Sequence, residues 1–123
     1  MIAADTSAWL DFSKGLESDR SRLLEASLSQ GTLVMPLPVL FEVLSGPGIT
    51  REASAHILRL PVLELKPGFW QRAADTRRAV LKRGLKARGM DCLVVQSCID
   101  HEVALIASDQ DYRNFLRLGL QVA

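Results

Sequence analysis

Four acidic residues occupy positions where an ordinary surface acid is not expected. Asp5 ends the apolar stretch MIAAD, and Glu42 is the only ionisable residue within PLPVLFEVLSG. Asp91 begins the segment DCLVVQSCIDHE, and Asp109 follows the apolar stretch ALIAS. Charged side chains are rarely buried without a partner. Carboxylates that converge in one pocket are a common way to bind a hard cation, so this set predicts a metal site.

Each acid also has an ordinary structural interpretation. Asp5 and Asp91 could cap helices, a role worth ~1 kcal/mol, and Asp109 could cap a helix or lie in a solvated loop. Glu42 could reach solvent at one edge of its helix. At about 100° per residue, Asp91 points in the same direction as the apolar residues of its segment. Asp100 points elsewhere, and we expect it to be an ordinary surface acid.

The chemistry of a shared acidic pocket favours a divalent ion. Two carboxylates ~4 Å apart repel each other by about 4 kcal/mol at an effective dielectric constant near 20, and a cation removes that repulsion. Oxygen ligands without a well-placed His or Cys select Mg2+ or Mn2+ rather than zinc. Such a site can bind a phosphodiester and activate water. His56 and His101 are not paired with these acids, so we assign neither to catalysis.

Short apolar stretches alternate with helical patterns along the chain and predict how these acids are positioned. The stretches MIAAD, TLVMP, VLEL, ALIAS and LQVA are each read as a strand, and helices connect them. This order is typical of an α/β domain with three α/β/α layers and a mostly parallel sheet. We expect one domain over residues 1–123. In such sheets ligands bind beyond the carboxyl ends of the strands, where Asp5 and Asp109 lie.

The charges are segregated along the chain. Residues 59–88 have a net charge of +7 and the remainder −6, although the total is only +1. A helix from Phe69 to Leu85 would bury an apolar stripe and place bases opposite it, while Arg77 falls within the apolar arc. A solvated helix face is an equal alternative to a polyanion-binding surface. The predicted buried stripe is Phe69, Ala73, Ala74, Val80 and Leu81, and the candidate RNA-binding bases are Arg72, Arg77, Arg78, Lys82, Arg83 and Lys86. We expect Trp9, Phe12 and Trp70 to pack rather than to stack on bases.

Together these segments resemble the PIN domain, and specifically the VapC toxins of bacterial toxin-antitoxin pairs. MIAADTSAWLD resembles the family's opening strand ending in Asp-Thr-Ser, and LPVLFEVLSG its helix with a central Glu. GMDCLVVQSCIDHEVALIASDQDY resembles its closing segment, although the family often has Thr-x-Asp-x-Asp-Phe there. The resemblance implies that Asp5, Glu42, Asp91 and Asp109 are the catalytic and metal-binding quartet. It implies accessory roles for Thr6, Ser108 and Asp111.

The resemblance further implies an Mg2+- or Mn2+-dependent endoribonuclease that forms a homodimer and is held silent by a cognate antitoxin. A non-catalytic PIN-like module that binds nucleic acid or a protein partner is the main alternative. A haloacid dehalogenase-type phosphatase is excluded because Ser7 stands where its second Asp is needed. With no leader or long apolar segment, we expect a cytoplasmic protein without membrane contact. We expect Cys92 and Cys98 to be buried free thiols.

Overall fold

A computed structural model describes residues 1–107 and 109–123, and these residues form a four-stranded sheet flanked by helices. The strands are β1 (Ile2–Ala4), β2 (Leu33–Pro36), β3 (Val62–Leu63) and β4 (Ala104–Ile106). The helices are α1 (Thr6–Ser13), α2 (Asp19–Gln30), α3 (Leu37–Leu44), α4 (Arg51–Ile57), α5 (Phe69–Lys82) and α6 (Gly89–Asp100). A 3-10 helix spans Gln110–Leu118.

The sheet has the strand order β3-β2-β1-β4, and every strand pair is parallel. In the register of the central strand, Ile2 pairs with Leu33 on one side and with Ala104 on the other. The predicted α/β fold is therefore confirmed. The predicted fifth strand at the end of the chain is wrong, because only an isolated bridge joins Leu105 to Val122 there.

Side chains at the helix ends define where several helices begin and stop. The Asp5 carboxylate caps α1, and Ser18 with Ser21 forms a capping box at the start of α2. Helix α2 ends at Gly31, whose φ of 69° lies in the left-handed region that favours glycine. The cap of α1 orients the helix that follows β1, and the caps of α2 orient the helix that precedes β2.

Helix α6 is the most deeply buried helix of the fold. Its side chains Val94, Val95 and Cys98 are buried, and both cysteines are free and buried as expected. It packs against the sheet on one side and against α5 on another. Helix α6 therefore holds Asp91 at its first turn in a fixed place relative to the strand ends. No helix in the described ranges is long and apolar enough to cross a membrane.

The α5–α6 contact corrects the expectation for Asp100. Its side chain is only 7% exposed and accepts from Arg72 Nε at 3.0 Å and Nη2 at 2.6 Å. Gln96 Nε2 donates to the same carboxylate at 2.9 Å. The prediction of a surface acid was wrong because α5 covers the side of α6 that faces away from the sheet. We call this contact the Arg72–Asp100 pair.

Candidate active site

Asp5 lies at the point where β1 ends beside β4. Its backbone N–H donates to the Ile106 carbonyl at 3.0 Å, and its Oδ1 accepts from the Ala8 N–H at 2.8 Å. The residue is only 2% exposed. The capping interpretation of Asp5 is thus correct, and it coexists with a buried carboxylate at the carboxyl ends of the two strands.

Glu42 lies on helix α3 and contacts Thr6, the residue that follows Asp5. The Thr6 hydroxyl donates to Glu42 Oε1 at 2.7 Å, and both residues are half-buried. The Thr6 hydroxyl, for which the resemblance implied an accessory role, therefore contacts Glu42. This contact fixes the orientation of the Glu42 carboxylate relative to the start of α1.

Asp91 lies in the first turn of α6 and is half-buried. Its Oδ1 accepts from the Tyr112 hydroxyl at 3.2 Å. As the helical periodicity predicted, its side chain points toward the interior. The carboxylate thus lies between the N-terminus of a buried helix and the 3-10 helix.

Asp109 and Asp111 differ in their surroundings. Asp109 is exposed and caps the 3-10 helix, since its Oδ1 accepts from the Asp111 N–H at 2.9 Å. Asp111 Oδ2 lies 3.9 Å from Lys86 Nζ. Asp109 contributes to the electrostatic field at both Asp5 and Asp91, whereas Asp111 is partly neutralised by Lys86. Ser108, the accessory hydroxyl, lies outside the described residues.

Electrostatics show that these acids share one region. Burial is the largest effect that raises the pKa of Asp5, and the Ala8 N–H and Arg20 oppose it. The charges of Asp91 and Asp109 also raise this pKa, and all of these effects together bring it from 3.8 to about 6. Burial also raises the pKa of Asp91, and Asp109 and Glu42 add to this shift. Asp5, Asp91 and Asp109 therefore lie within electrostatic range of one another, and Glu42 lies within range of Asp91.

The donor set fits a hard cation in its chemistry. The acids supply carboxylate oxygens, and the raised pKa of Asp5 means that a nearby positive charge would favour its ionised form. Among residues 1–107 and 109–123, no three His, Cys, Asp or Glu side chains lie close enough together to hold a metal ion as they stand. Binding would therefore require side-chain rotation, for which the exposed Asp109 has the most room.

The candidate RNA-binding bases fall into two groups. Arg72 is bound to Asp100, Arg77 Nε donates to the Ala87 carbonyl at 3.0 Å, and Lys86 lies beside Asp111. Arg78, Lys82 and Arg83 are exposed, with Arg78 paired to Asp75 one turn earlier. The second group lies along the outer side of α5.

The predicted packing of α5 was partly wrong. Phe69, Ala73 and Val80 are buried, but Leu81 is 45% exposed and Ala74 is also exposed. Trp70 is 62% exposed, contrary to the expected packing role, whereas Trp9 is buried as expected. The helix rests on α6 along a narrower stripe than the sequence periodicity indicated, and it ends at Lys82 instead of Leu85.

Two residues of the site were not found from the sequence. Tyr112 was recognised only as an aromatic residue after Asp111, so its hydroxyl contact with Asp91 was missed. Arg20 lowers the pKa of Asp5 and forms an ion pair with Asp11 at 2.8 Å. The sequence signal for the Arg20–Asp11 pair was an acid in the second turn of α1 and a base at the start of α2.

A separate apolar groove of about 840 Å3 lies between α1, α2 and α4. Its lining includes Trp9, Phe12, Ile49, Ile57 and Leu60. The buried Trp9 Nε1 has no hydrogen-bond partner within the described part of the chain. Phe12 and Leu10 at the groove are 36% and 44% exposed. An apolar surface of this kind is typical of a binding site for a protein segment.

Solved structures of similar fold cover the whole chain. A chain of VapBC2 from Rickettsia felis bound to a DNA fragment from their promoter matches with a TM-score of 0.71 at 16% identity, covering 100% of this chain and 98% of the other. A chain of FitAcB from Neisseria gonorrhoeae matches with a TM-score of 0.71 at 13% identity, covering 99% and 96%. A chain of FitAB bound to an IR36 DNA fragment matches with a TM-score of 0.66 at 13% identity, covering 100% and 94%.

Sequence comparison gives a family and no individual relative. A search of curated proteins gave no significant match. The PIN domain profile matches residues 2–118, which is nearly the whole chain. The chain therefore belongs to the PIN-domain family.

Proposed function

We propose that this protein is a metal-dependent endoribonuclease and the toxin component of a toxin-antitoxin pair. The observation that supports the proposal is the electrostatic coupling of Asp91 to Asp5, Glu42 and Asp109 near the carboxyl ends of the strands. Besides burial, the charges of Asp91 and Asp109 raise the pKa of Asp5, and those of Asp109 and Glu42 raise the pKa of Asp91. A protein that only binds a polyanion gains nothing from such a concentration of negative charge.

The residues have distinct parts in this proposal. Asp5, Asp91 and Asp109 would hold Mg2+ or Mn2+, and Glu42, oriented by Thr6, would complete the set. When bound, the ion supplies Lewis acidity toward phosphate and lowers the pKa of water. Glu42 is half-buried and Asp109 is exposed, and either would accept or hold a proton near the scissile phosphate. The proximity of Lys86 to Asp111 makes Asp109 the better ligand of the two.

The exposed bases of α5 would supply the part of RNA affinity that does not depend on sequence. Arg78, Lys82 and Arg83 can approach phosphates from solvent. Arg72 contributes through the Arg72–Asp100 pair to the position of α5, so its side chain serves the substrate only indirectly. Sequence selectivity would come from looped or single-stranded bases.

Cleavage in the presence and absence of metal tests the proposal. The purified protein, freed of any partner, should cleave structured RNA with Mg2+ or Mn2+ and should lose this activity in EDTA. Asp5→Asn and Asp91→Asn should abolish cleavage, because each removes a ligand charge. Asp19→Asn is the matched control, since the Asp19 side chain is fully solvent-exposed. Metal-dependent cleavage that survives both active-site substitutions would refute the catalytic assignment.

We further propose that a cognate antitoxin binds in the apolar groove beside α1. The apolar lining of the groove and its exposed Leu10 suit an apolar segment of a partner protein. The similar solved structures are of VapBC2 and FitAB, which supports a protein partner. The product of a short neighbouring gene should co-purify with this chain and inhibit cleavage. Leu10→Asp, at an exposed position, should weaken co-purification, and Leu23→Asp on the outer face of α2 should not.

A further inference from the structure

Tyr112 combines a buried ring with a hydroxyl that reaches an acid of the site. The residue is 6% exposed and lies in the 3-10 helix, which packs against α6. Its hydroxyl donates to Asp91 Oδ1 at 3.2 Å. A phenylalanine ring would fill the same apolar space, so packing alone does not account for the hydroxyl.

The hydroxyl acts as a donor under all ordinary conditions. A carboxylate can only accept a hydrogen bond, so the Tyr112 hydroxyl is the donor in its contact with Asp91. A buried hydroxyl without a partner carries a desolvation penalty, and within the described residues Asp91 supplies that partner.

Tyr112 also connects two acids that are distant in sequence. Its backbone N–H donates to the Asp109 carbonyl at 3.2 Å, while its side chain holds Asp91 on α6. The segment after β4 and the first turn of α6 are thus joined through one residue. Loss of the hydroxyl would release the Asp91 carboxylate to rotate without disturbing the cap that Asp109 makes.

We propose that Tyr112 is a positioning residue that orients Asp91 for metal binding by engaging Oδ1. This inference rests on the proposed function. Residues that orient metal ligands through hydrogen bonds commonly change metal affinity by 10- to 100-fold when substituted. Because the contact here is a single bond of 3.2 Å, we expect an effect near the lower end of that range.

The test compares Mn2+ binding to the full chain and to Tyr112→Phe, measured by the loss of the free-ion electron paramagnetic resonance signal. The substitution should weaken Mn2+ binding by about tenfold, while thermal unfolding stays nearly unchanged. Ser27→Ala is the matched control, because the Ser27 hydroxyl is also buried and donates to the Leu23 carbonyl at 2.8 Å. This variant should bind Mn2+ as the unmodified chain does.

The outcomes separate this inference from the proposed function. If the unmodified chain binds no Mn2+, the metal-dependent function is refuted and the inference falls with it. If the unmodified chain binds Mn2+ and Tyr112→Phe binds it equally well, only the positioning role is refuted. Equal weakening in Tyr112→Phe and Ser27→Ala also refutes the positioning role, because the effect would then reflect loss of any buried hydroxyl.

Discussion

Helix α6 carries one aspartate near each end, and their surroundings are opposite. Asp91 in the first turn faces other acids, and burial with those charges raises its pKa. Asp100 at the last turn receives two Arg72 nitrogens and Gln96, and hydrogen bonding to Arg72 lowers its pKa. Asp91 is half-buried and the Asp100 side chain is nearly buried, but of the two only Asp100 has a cationic partner bonded to it.

The paired charge of Asp100 stabilises the fold, whereas the charge of Asp91, which faces other acids, lowers the stability of the folded chain. The Arg72–Asp100 pair satisfies its charge and ties α5 to α6. At the other end the fold keeps Asp5 and Asp91 close together without a compensating cation bonded to them in the described residues. Strongly perturbed acids in a cleft are candidates for function, whereas paired acids are usually structural.

The largest expected effect is on catalysis. Asp91→Asn should reduce Mn2+-dependent RNA cleavage by at least about 100-fold, because a ligand contributes no less than the residues that orient it. Asp100→Asn should change cleavage by less than about threefold at a temperature where both variants are folded, since it lies at the far end of the helix. Single-turnover assays on one RNA measure both. Similar losses in the two variants would remove the distinction between the two ends of α6.

In EDTA, the free energy of unfolding should show how much the charge of Asp5 destabilises the fold. The folded-state pKa of Asp5, about 6, exceeds its ordinary value of 3.8. Between these values the folded chain retains a proton that the unfolded chain has lost, so the free energy of unfolding falls as pH rises. The stability contributed by the proton that folded Asp5 retains is complete below about pH 4 and is lost above about pH 6. Asp5→Asn keeps a capping side chain and should therefore raise the free energy of unfolding by roughly 2 kcal/mol at pH 7.5.

Urea titrations of this variant and the unmodified chain at pH 4 and pH 7.5 check the expectation. The difference between the two proteins should be small at pH 4 and large at pH 7.5. Saturating Mn2+ should stabilise the unmodified chain more than the variant, by mass action. A variant that is less stable than the unmodified chain at pH 7.5 in EDTA would show that the Asp5 charge stabilises the fold and is not held at a cost.

The sequence was sufficient to predict the α/β fold and the parallel strands. Apolar stretches four or five residues long, separated by helical patterns, identified all four strands. It also placed Asp91 toward the interior, because helical periodicity gives a direction for each side chain. These features depend on local patterns, which the chain carries in consecutive residues.

Features that depend on neighbouring elements could not be predicted in this way. The helical wheel of α6 shows that Asp100 points away from the sheet, but it does not show that α5 covers that side. The same limitation applies to the Tyr112 hydroxyl, whose partner Asp91 lies on α6. In each case the partner comes from a distant part of the chain.

A smaller effect is expected on the stability of the α5–α6 contact. Asp100→Asn removes the charge that Arg72 binds, and it should lower Tm by roughly 5 °C at pH 7, about the loss of one charge-assisted hydrogen bond. Because the pKa of Asp100 is lowered in the folded state, the stability that its charge contributes is present above its ordinary pKa of 3.8. This stability is lost as the pH falls through the folded-state pKa. This trend is opposite to that of Asp5. Calorimetry at several pH values distinguishes them, and a Tm unaffected by Asp100→Asn would show that the pair adds nothing to stability.

The smallest effect concerns the bases of α5, where the same contrast between paired and unpaired charge recurs. Arg72 is bound to Asp100, whereas Lys82 and Arg83 are exposed and form no ion pair within the described residues. In an Asp5→Asn background, which prevents cleavage, the double substitution Lys82→Ala and Arg83→Ala should weaken RNA binding several-fold. It should also reduce the slope of log K against log salt concentration by about 1, since each phosphate contact contributes ~0.7 on a single strand.

Arg22→Ala on α2 is the control, because Arg22 is also exposed but lies outside the basic segment of residues 59–88. A salt slope that falls equally in the control would show that α5 has no special role in RNA binding and that its bases only solvate the helix.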